Sequence, residues 1–96
     1  MSSHRQIFEF DPVKAASNLK KHGVSFAEAM TIFDDPLAST LPDDQHSDEE
    51  NRFITVGLSS KHRILFVVYT DTISGIRLIG ARPATAAEIT QYEEVS

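Results

Sequence analysis

The sequence LIGARPAT places an arginine, Arg82, at the end of an apolar stretch. Pro83 has no amide hydrogen for a strand ladder, so a strand that reaches Arg82 must end there. Thr85 and Glu88 have the spacing of a capping box, which predicts a helix whose first amides point outwards. A guanidinium beside a helix N-terminus can hold a phosphate. The structural alternative is an ion pair between Arg82 and Glu88, or between Arg82 and an acid of residues 34–50.

Other cationic side chains could contact the same anion or transfer a proton. Lys21 and His22 stand in the sequence KHG, and Arg63 stands in the predicted turn SKHR. Imidazole exchanges a proton near neutral pH, which makes His22 a candidate acid or base. Each residue also has a structural explanation, because Lys21 and His22 can complement a helix dipole and Arg63 can be a solvated turn charge.

The last strand carries a second candidate, Arg77, at an odd spacing from Arg82. In a regular strand the two side chains would lie on opposite faces. A β-bulge at Gly80 would correct this and bring them to one face.

The sequence gives little support for a metal centre. It contains no cysteine, and His46 lies between Asp44 and Asp48 without a spacing typical of metal ligands. We therefore expect no metal ligand and no cofactor.

Two helices are predicted to position the N-terminal candidates. Asp11 and Pro12 are typical of a helix start, and Gly23 is typical of the residue that follows a helix end. Ser25 then begins a second helix, with Glu28 predicted to reach back to it in a capping box. The KHG sequence would thus lie at the end of the first helix.

Strands are expected before and after this helical pair. IFEF, from residue 7 to residue 10, is a short β-like start, and residues 37–51 are a polar, acidic connection without a period. The β-like runs RFITVGLS, ILFVVYTD and IRLIGAR follow. ILFVVY lacks polar alternation, so we expect it to be central and covered on both faces. With a helix from Thr85, the expected fold is α+β, with an antiparallel sheet of about four strands, an N-terminal helical hairpin packed on it and a C-terminal helix.

Composition indicates one domain, residues 1–96, because 41% hydrophobic residues in a chain of 96 are enough for a single core. No apolar run approaches the roughly 20 residues of a membrane-spanning helix, and no export segment is apparent. We therefore expect a cytoplasmic protein without membrane contact. The net charge of −5 argues against a general nucleic-acid binder. The charged residues are unevenly distributed along the chain, however. Residues 34–50 contain no Lys or Arg, whereas basic residues outnumber acidic ones in residues 52–82.

The order and spacing of several segments resemble the BrnT-type toxins of bacterial toxin-antitoxin modules. These segments are FEFDPVKAASNLKKHGVSFAEA, FDDP, the HS of QHSDEENR, GLS before a strand pair ending in VVYT, IRLIGARPAT and QYEE. The resemblance covers almost the whole chain. It implies a RelE-like fold, a sheet that presents a basic face to RNA, and metal-independent ribonuclease activity. It also implies neutralisation by a ribbon-helix-helix antitoxin, which binds operator DNA in the complex.

The resemblance further implies roles for the cationic candidates. The implied catalytic residues are His22 for proton transfer and Arg63 and Arg82 for charge stabilisation, and the implied RNA-binding residues are Lys21 and Arg77. Glu50 and Tyr69 are candidates for a second proton-transfer group. The hypothesis requires the guanidinium groups of the later strands to gather into one anion site.

One departure from the family pattern leaves an alternative open. The stretch TAAEITQYEE contains no base, whereas many members of the family carry several there. The alternative is therefore a catalytically weak or inactive member that acts as a protein-binding module with its antitoxin. A basic antitoxin would be attracted by the acidic residues 34–50. A metalloenzyme that uses His46 is a third option.

Overall fold

The computed structural model describes residues 7–43 and 51–95, which form an α+β fold around one mixed sheet of five strands. The strands are β1 (Phe8–Glu9), β2 (Ser39–Pro42), β3 (Arg52–Leu58), β4 (Ile64–Thr72) and β5 (Gly75–Pro83). The helices are α1 (Pro12–His22), α2 (Phe26–Met30), a 3-10 helix (Thr31–Asp34) and α3 (Ala86–Val95). The strand order is β1-β5-β4-β3-β2, with β1 parallel to β5 and the other neighbours antiparallel.

Helix α1 begins and ends where the sequence predicts. The Val13 amide donates to Asp11 Oδ1 at 2.9 Å, and Pro12 occupies the first turn, where its missing amide costs no hydrogen bond. Gly23 ends the helix at φ 70°, a left-handed conformation that glycine adopts without steric cost, and its amide donates to the Leu19 carbonyl. His22 is consequently held in the last turn of α1.

The second helix has the predicted cap but not the predicted capping box. The Glu28 amide donates to Ser25 Oγ at 3.0 Å. The Glu28 carboxylate, however, accepts from Ser59 Oγ and from Arg63 rather than reaching back to Ser25. A carboxylate bonded by a guanidinium is more strongly stabilised than one bonded by an amide alone. Glu28 therefore binds Arg63 rather than the backbone at the start of its own helix.

The core lies between this helical region and one face of the sheet. It consists of Val24, Phe26, Ala29, Ile32, Leu65, Val67, Tyr69, Ile76, Leu78 and Ala81, all buried. Burial of each large aliphatic side chain contributes about 1.5 to 3 kcal/mol. At one end of the core, Phe33 packs edge-on against Tyr69, with 5.1 Å between the ring centroids. The core fixes the helical region on β4 and β5.

The expectation of an antiparallel sheet of about four strands is wrong in two respects. β1 pairs in parallel with β5, matching Phe8 to Ile76 and Glu9 to Arg77. β2 forms inside residues 37–51, which the sequence predicted to be a connection. All of its residues are exposed, so it has no apolar alternation to detect, and its pairing with β3 selects the strand conformation.

The sheet face away from α1 and α2 is only partly covered, and we call it the open face. It carries Ile54, Val56, Phe66 and Val68, all half-buried. β4 is central as predicted, but the prediction that both of its faces are covered is wrong. Helix α3 lies over one side of this face, where the Tyr92 hydroxyl donates to Asp35 Oδ2 at 2.6 Å. Within the two described segments, no helix has the length and apolar character needed to cross a membrane.

Candidate active site

A β-bulge brings Arg77 and Arg82 to the same face. Arg77 pairs with Thr70 and Arg82 pairs with Phe66, with a register shift between them opposite Val68 and Tyr69. Since paired residues share a face and Thr70 and Phe66 are an even number of residues apart, both arginines belong to the open face. They are separated by about 13 Å along the strand. The bulge expected at Gly80 is present one residue earlier, because Gly80 pairs with Val68 and Leu78 with Tyr69, which leaves Ile79 as the extra residue of β5.

His22 and Arg82 line one shallow depression of about 190 Å³ at the β5 side of the open face. Its other lining residues are Asn18, Phe66, Val68, Gly80 and Ala81. A neighbouring depression of about 330 Å³ is lined by Asp43, Arg52, Ile54, Phe66, Val68, Ile79 and Gly80. Because the two depressions share Phe66, Val68 and Gly80, they form one continuous depression, which we call the central groove.

Arg82 is held at the end of this groove by an ion pair with helix α3. Its Nη1 and Nη2 donate to Glu88 Oε1 and Oε2 at 2.8 and 2.9 Å, and Nη1 also donates to the Pro83 carbonyl. The guanidinium lies 3.8 Å from the Phe66 ring centroid, a cation-π contact. The bonded carboxylate raises the pKa of Arg82, and the guanidinium lowers the pKa of Glu88. Among the described residues, these bonds leave the Nε–H of Arg82 available.

Glu88 also completes the capping box predicted at the start of α3. The Thr85 amide donates to Glu88 Oε1 at 2.8 Å, and the Glu88 amide donates to Thr85 Oγ1 at 3.2 Å. The same carboxylate therefore caps the helix and binds Arg82. The ion pair considered as the structural alternative for Arg82 is present in the structure.

Arg63 lies on the other side of the sheet. Its Nε and Nη2 donate to the buried Glu28 carboxylate at 2.7 and 2.6 Å, and Nη2 also donates to the Gly23 carbonyl at 2.8 Å. The hydrogen bonds from Arg63 lower the pKa of Glu28 against the opposing effect of its burial. The expectation that Arg63 and Arg82 gather into one anion site is wrong, because each guanidinium has its own carboxylate and they reach opposite sides of the sheet. Arg63 instead fixes the residue that follows His22.

The remaining candidates fall in different places. Lys21 and His22 are exposed in the last turn of α1, and Arg77 is exposed on β5. Tyr69 is in the core, where its hydroxyl accepts from Thr55 Oγ1, so it cannot assist His22. Glu50 and His46 lie outside the described residues. In residues 7–43 and 51–95, no group of carboxylates and imidazoles is placed to hold a metal ion.

Asn18 is a positioning residue that sequence reasoning missed. β1 is too short to cover the edge of β5 at Ala81, and the Asn18 side chain takes its place there. The Ala81 amide donates to Asn18 Oδ1 at 3.0 Å, and Nδ2 donates to the carbonyls of Ala81 and Val24 at 2.8 and 2.9 Å. These bonds join α1 to the residue before Arg82. The sequence did contain a signal for Asn18, because asparagine has a lower helix propensity than most of the residues around it in α1.

Arg52 is a further cation that sequence reasoning did not single out. It pairs with Thr70 across the sheet, as Arg77 does from the other side, so all three share a row on the open face. It also lines the central groove. Its position opposite β4 depends on the strand register, which the sequence alone did not fix.

Comparisons with known proteins identify both the sequence pattern and the fold. Residues 10–88 match a family model described as the ribonuclease toxin BrnT of type II toxin-antitoxin systems. The crystal structure of the Brucella abortus ribonuclease toxin BrnT is similar, with a TM-score of 0.65 and 21% sequence identity, over 84% of this chain and 99% of that chain. At this identity the structural match supports the fold alone. Among curated proteins, none matches the chain significantly.

Proposed function

Because the chain belongs to the BrnT family of ribonuclease toxins of type II toxin-antitoxin systems, we propose that it cleaves RNA without a metal ion in the cytoplasm. The observation that carries the proposal is the family match over residues 10–88. The family implies an antitoxin partner, and we infer that this antitoxin is a ribbon-helix-helix protein through which the complex binds operator DNA. We also infer that the fold is a RelE-like variant, extended by the parallel β1.

The central groove is the surface that fits RNA best. Arg82 and His22 lie at its β5 side, Arg52 lines it further along, and Phe66 and Val68 form an apolar floor between them. Cations neutralise backbone phosphates, and an aromatic ring offers a face on which a base can stack. Lys21, in the last turn of α1 beside His22, and Arg77, on the same face as Arg82, are the proposed phosphate-binding residues.

Metal-independent cleavage requires two proton transfers and stabilisation of charge. The ribose 2′-oxygen loses its proton and bonds to phosphorus, the bond from phosphorus to the 5′-oxygen breaks, and that oxygen gains a proton. The products are a cyclic phosphate and a 5′-hydroxyl. We assign proton transfer at the 2′-oxygen to His22, which is exposed in the groove.

We assign to Arg82 the stabilisation of the negative charge that develops on the pentacovalent phosphorus centre. Its Nε–H can donate to a phosphate oxygen while Glu88 is bound, and a phosphate that displaces Glu88 gains the bidentate fork as well. For Arg63, the contacts with Glu28 and Gly23 favour a positioning role over direct contact with phosphate. It would support catalysis by holding the turn after His22.

The catalytic assignment is tested with purified protein, freed of antitoxin and given single-stranded RNA in EDTA. Wild type should cleave, and Arg82→Ala should be slower by about 100-fold to 1,000-fold, because a preorganised donor to the transition state is lost. Lys61→Ala removes an exposed cation from a turn outside the groove and should keep the wild-type rate. Equal rates for wild type and Arg82→Ala would refute the role of Arg82. Loss of wild-type cleavage in EDTA would refute metal independence.

A second candidate function is a protein-binding module without activity. The observation in its favour is that Arg63 and Arg82 are each paired with a carboxylate. Inducible expression in a bacterial host separates the two functions. Growth arrest that the antitoxin reverses supports the toxin, whereas harmless expression together with tight antitoxin binding supports the module.

A further inference from the structure

A second groove, of about 360 Å³, lies between α3 and the β2 side of the open face. We call it the flank groove. Leu41, Ile54 and Val56 line it from the sheet, and Glu88, Tyr92 and Glu94 line it from α3. It adjoins the central groove, with which it shares Ile54.

The floor of the flank groove is apolar and accessible. Leu41 is 63% exposed although it is a large aliphatic residue on a strand. It pairs with Ile54, and Ser39 pairs with Val56, so Leu41, Ile54 and Val56 face the same side. β2 is the last strand of the sheet on this side, so its outer backbone edge has no neighbouring strand among the described residues. An accessible apolar row beside a strand edge is typical of a protein-binding surface.

The charge around the flank groove is acidic on both sides. Two segments form the sides of the groove: residues 34–43, which include β2, and residues 83–95, which include α3. Neither segment contains Lys or Arg. Their acids are Asp34, Asp35, Asp43, Glu88, Glu93 and Glu94. Glu88 is paired with Arg82, but Glu94 is exposed at the rim. Such a rim repels phosphates and attracts a basic protein.

We propose that the antitoxin docks in the flank groove through an amphipathic segment, with apolar side chains on Leu41, Ile54 and Val56 and with Lys or Arg beside Glu94. The proposal rests on the proposed function, since the partner is the antitoxin, but it concerns a surface other than the central groove. The shared Ile54 places the bound segment against the RNA path. The antitoxin would therefore exclude RNA without contacting His22 or Arg82.

The test compares two substitutions of the same kind at exposed aliphatic residues. Leu41→Asp places a charge on the floor of the groove, whereas Ile73→Asp places one in the β4–β5 turn, where Ile73 is fully exposed. The probe is the purified product of the reading frame adjacent to this gene, the position expected for the antitoxin, and its Kd is measured by calorimetry. Leu41→Asp should weaken binding at least tenfold, and Ile73→Asp should leave it unchanged. Glu94→Lys, at an exposed helix position, should also weaken binding, most strongly at low salt.

RNA cleavage by the same variants separates this proposal from the proposed function. Leu41→Asp should cleave RNA at the wild-type rate but should resist inhibition by the antitoxin. Unchanged antitoxin affinity in both Leu41→Asp and Glu94→Lys would overturn the docking proposal, as would failure of wild type to bind the probe. If the affinities change as expected while no variant and no wild type cleaves RNA, the docking site stands and the ribonuclease proposal fails.

Discussion

At the scale of single residues, the pairing of Arg82 with Glu88 has consequences for RNA binding. Glu88 presents two carboxylate oxygens to the guanidinium fork, the arrangement that a phosphate would use. A bound phosphate must therefore compete with Glu88 or accept from the Nε–H alone. If Arg82 binds RNA as proposed, its ion pair with Glu88 weakens that binding.

Removal of the Glu88 charge should therefore tighten RNA binding. In Glu88→Gln the amide oxygen still accepts from the Thr85 amide, so the helix cap is kept. A partly exposed ion pair of about 1 kcal/mol corresponds to about fivefold in affinity, and fluorescence anisotropy with a short single-stranded RNA measures this change. Glu94→Gln removes an equal charge from the same helix without touching Arg82. Equal effects of the two variants would mean that Arg82 does not contact phosphate.

The sequence predicted some side-chain partners and missed others, for a physical reason. The Arg82–Glu88 pair was predictable because both residues stand beside one capping box, six positions apart. The Arg63–Glu28 pair joins residues 35 positions apart, and only the packing of α2 on the sheet brings them together. The capping-box spacing predicted a bond from the Glu28 carboxylate back to the start of its own helix. The Arg63 guanidinium binds that carboxylate more strongly and takes its place.

At the scale of elements, the Tyr92 side chain attaches α3 to the rest of the molecule through a hydrogen bond. Its hydroxyl donates to Asp35, which also accepts from the Leu58 and Leu37 amides. Burial of Asp35 opposes its ionisation, but these hydrogen bonds outweigh that effect and lower its pKa. The bond to the charged Asp35, with burial, raises the pKa of Tyr92 from 10.0 to about 12.

This pKa predicts an alkaline loss of stability. Unfolded Tyr92 ionises near pH 10, while the folded side chain keeps its proton until about pH 12. The stabilisation is therefore present below pH 10 and is lost as the pH rises towards 12. Urea unfolding across this range should show a decline in the free energy of unfolding that Tyr92→Phe reduces. Tyr92→Phe should also cost about 1.5 kcal/mol at neutral pH. An unchanged alkaline decline in Tyr92→Phe would contradict the assignment.

The helices were easier to predict than the edges of the sheet. The ends of α1 are determined by Asp11, Pro12 and Gly23, residues whose local chemistry sets the backbone. β1 and β2 are short, and each adopts strand geometry because a neighbouring strand offers it hydrogen bonds. β2 has no buried residue, so no apolar pattern could indicate it. The exposed groove beside it was unpredictable for the same reason.

At the scale of the whole molecule, a net charge of −5 limits how strongly RNA can be held. If Lys21, Arg77 and Arg82 each neutralise a phosphate, the logarithm of the RNA association constant should fall against the logarithm of salt concentration with a slope of about −2. Binding titrations over a range of salt concentrations measure this slope. Arg77→Ala should make it shallower by about 0.7, whereas Lys61→Ala should not change it. A much steeper slope in wild type would mean that further cations contact the RNA.

The bonds between Asn18 and Ala81 have a consequence for the biosynthesis of this toxin. They span 63 positions, and they join the segment that carries His22 to the strand that carries Arg82. A nascent chain released before its last strand is translated has neither the arginine nor the edge against which the first helix is fixed. A truncated product that ends before β5 therefore lacks two parts of the proposed active site, Arg82 itself and the contact that fixes the position of His22.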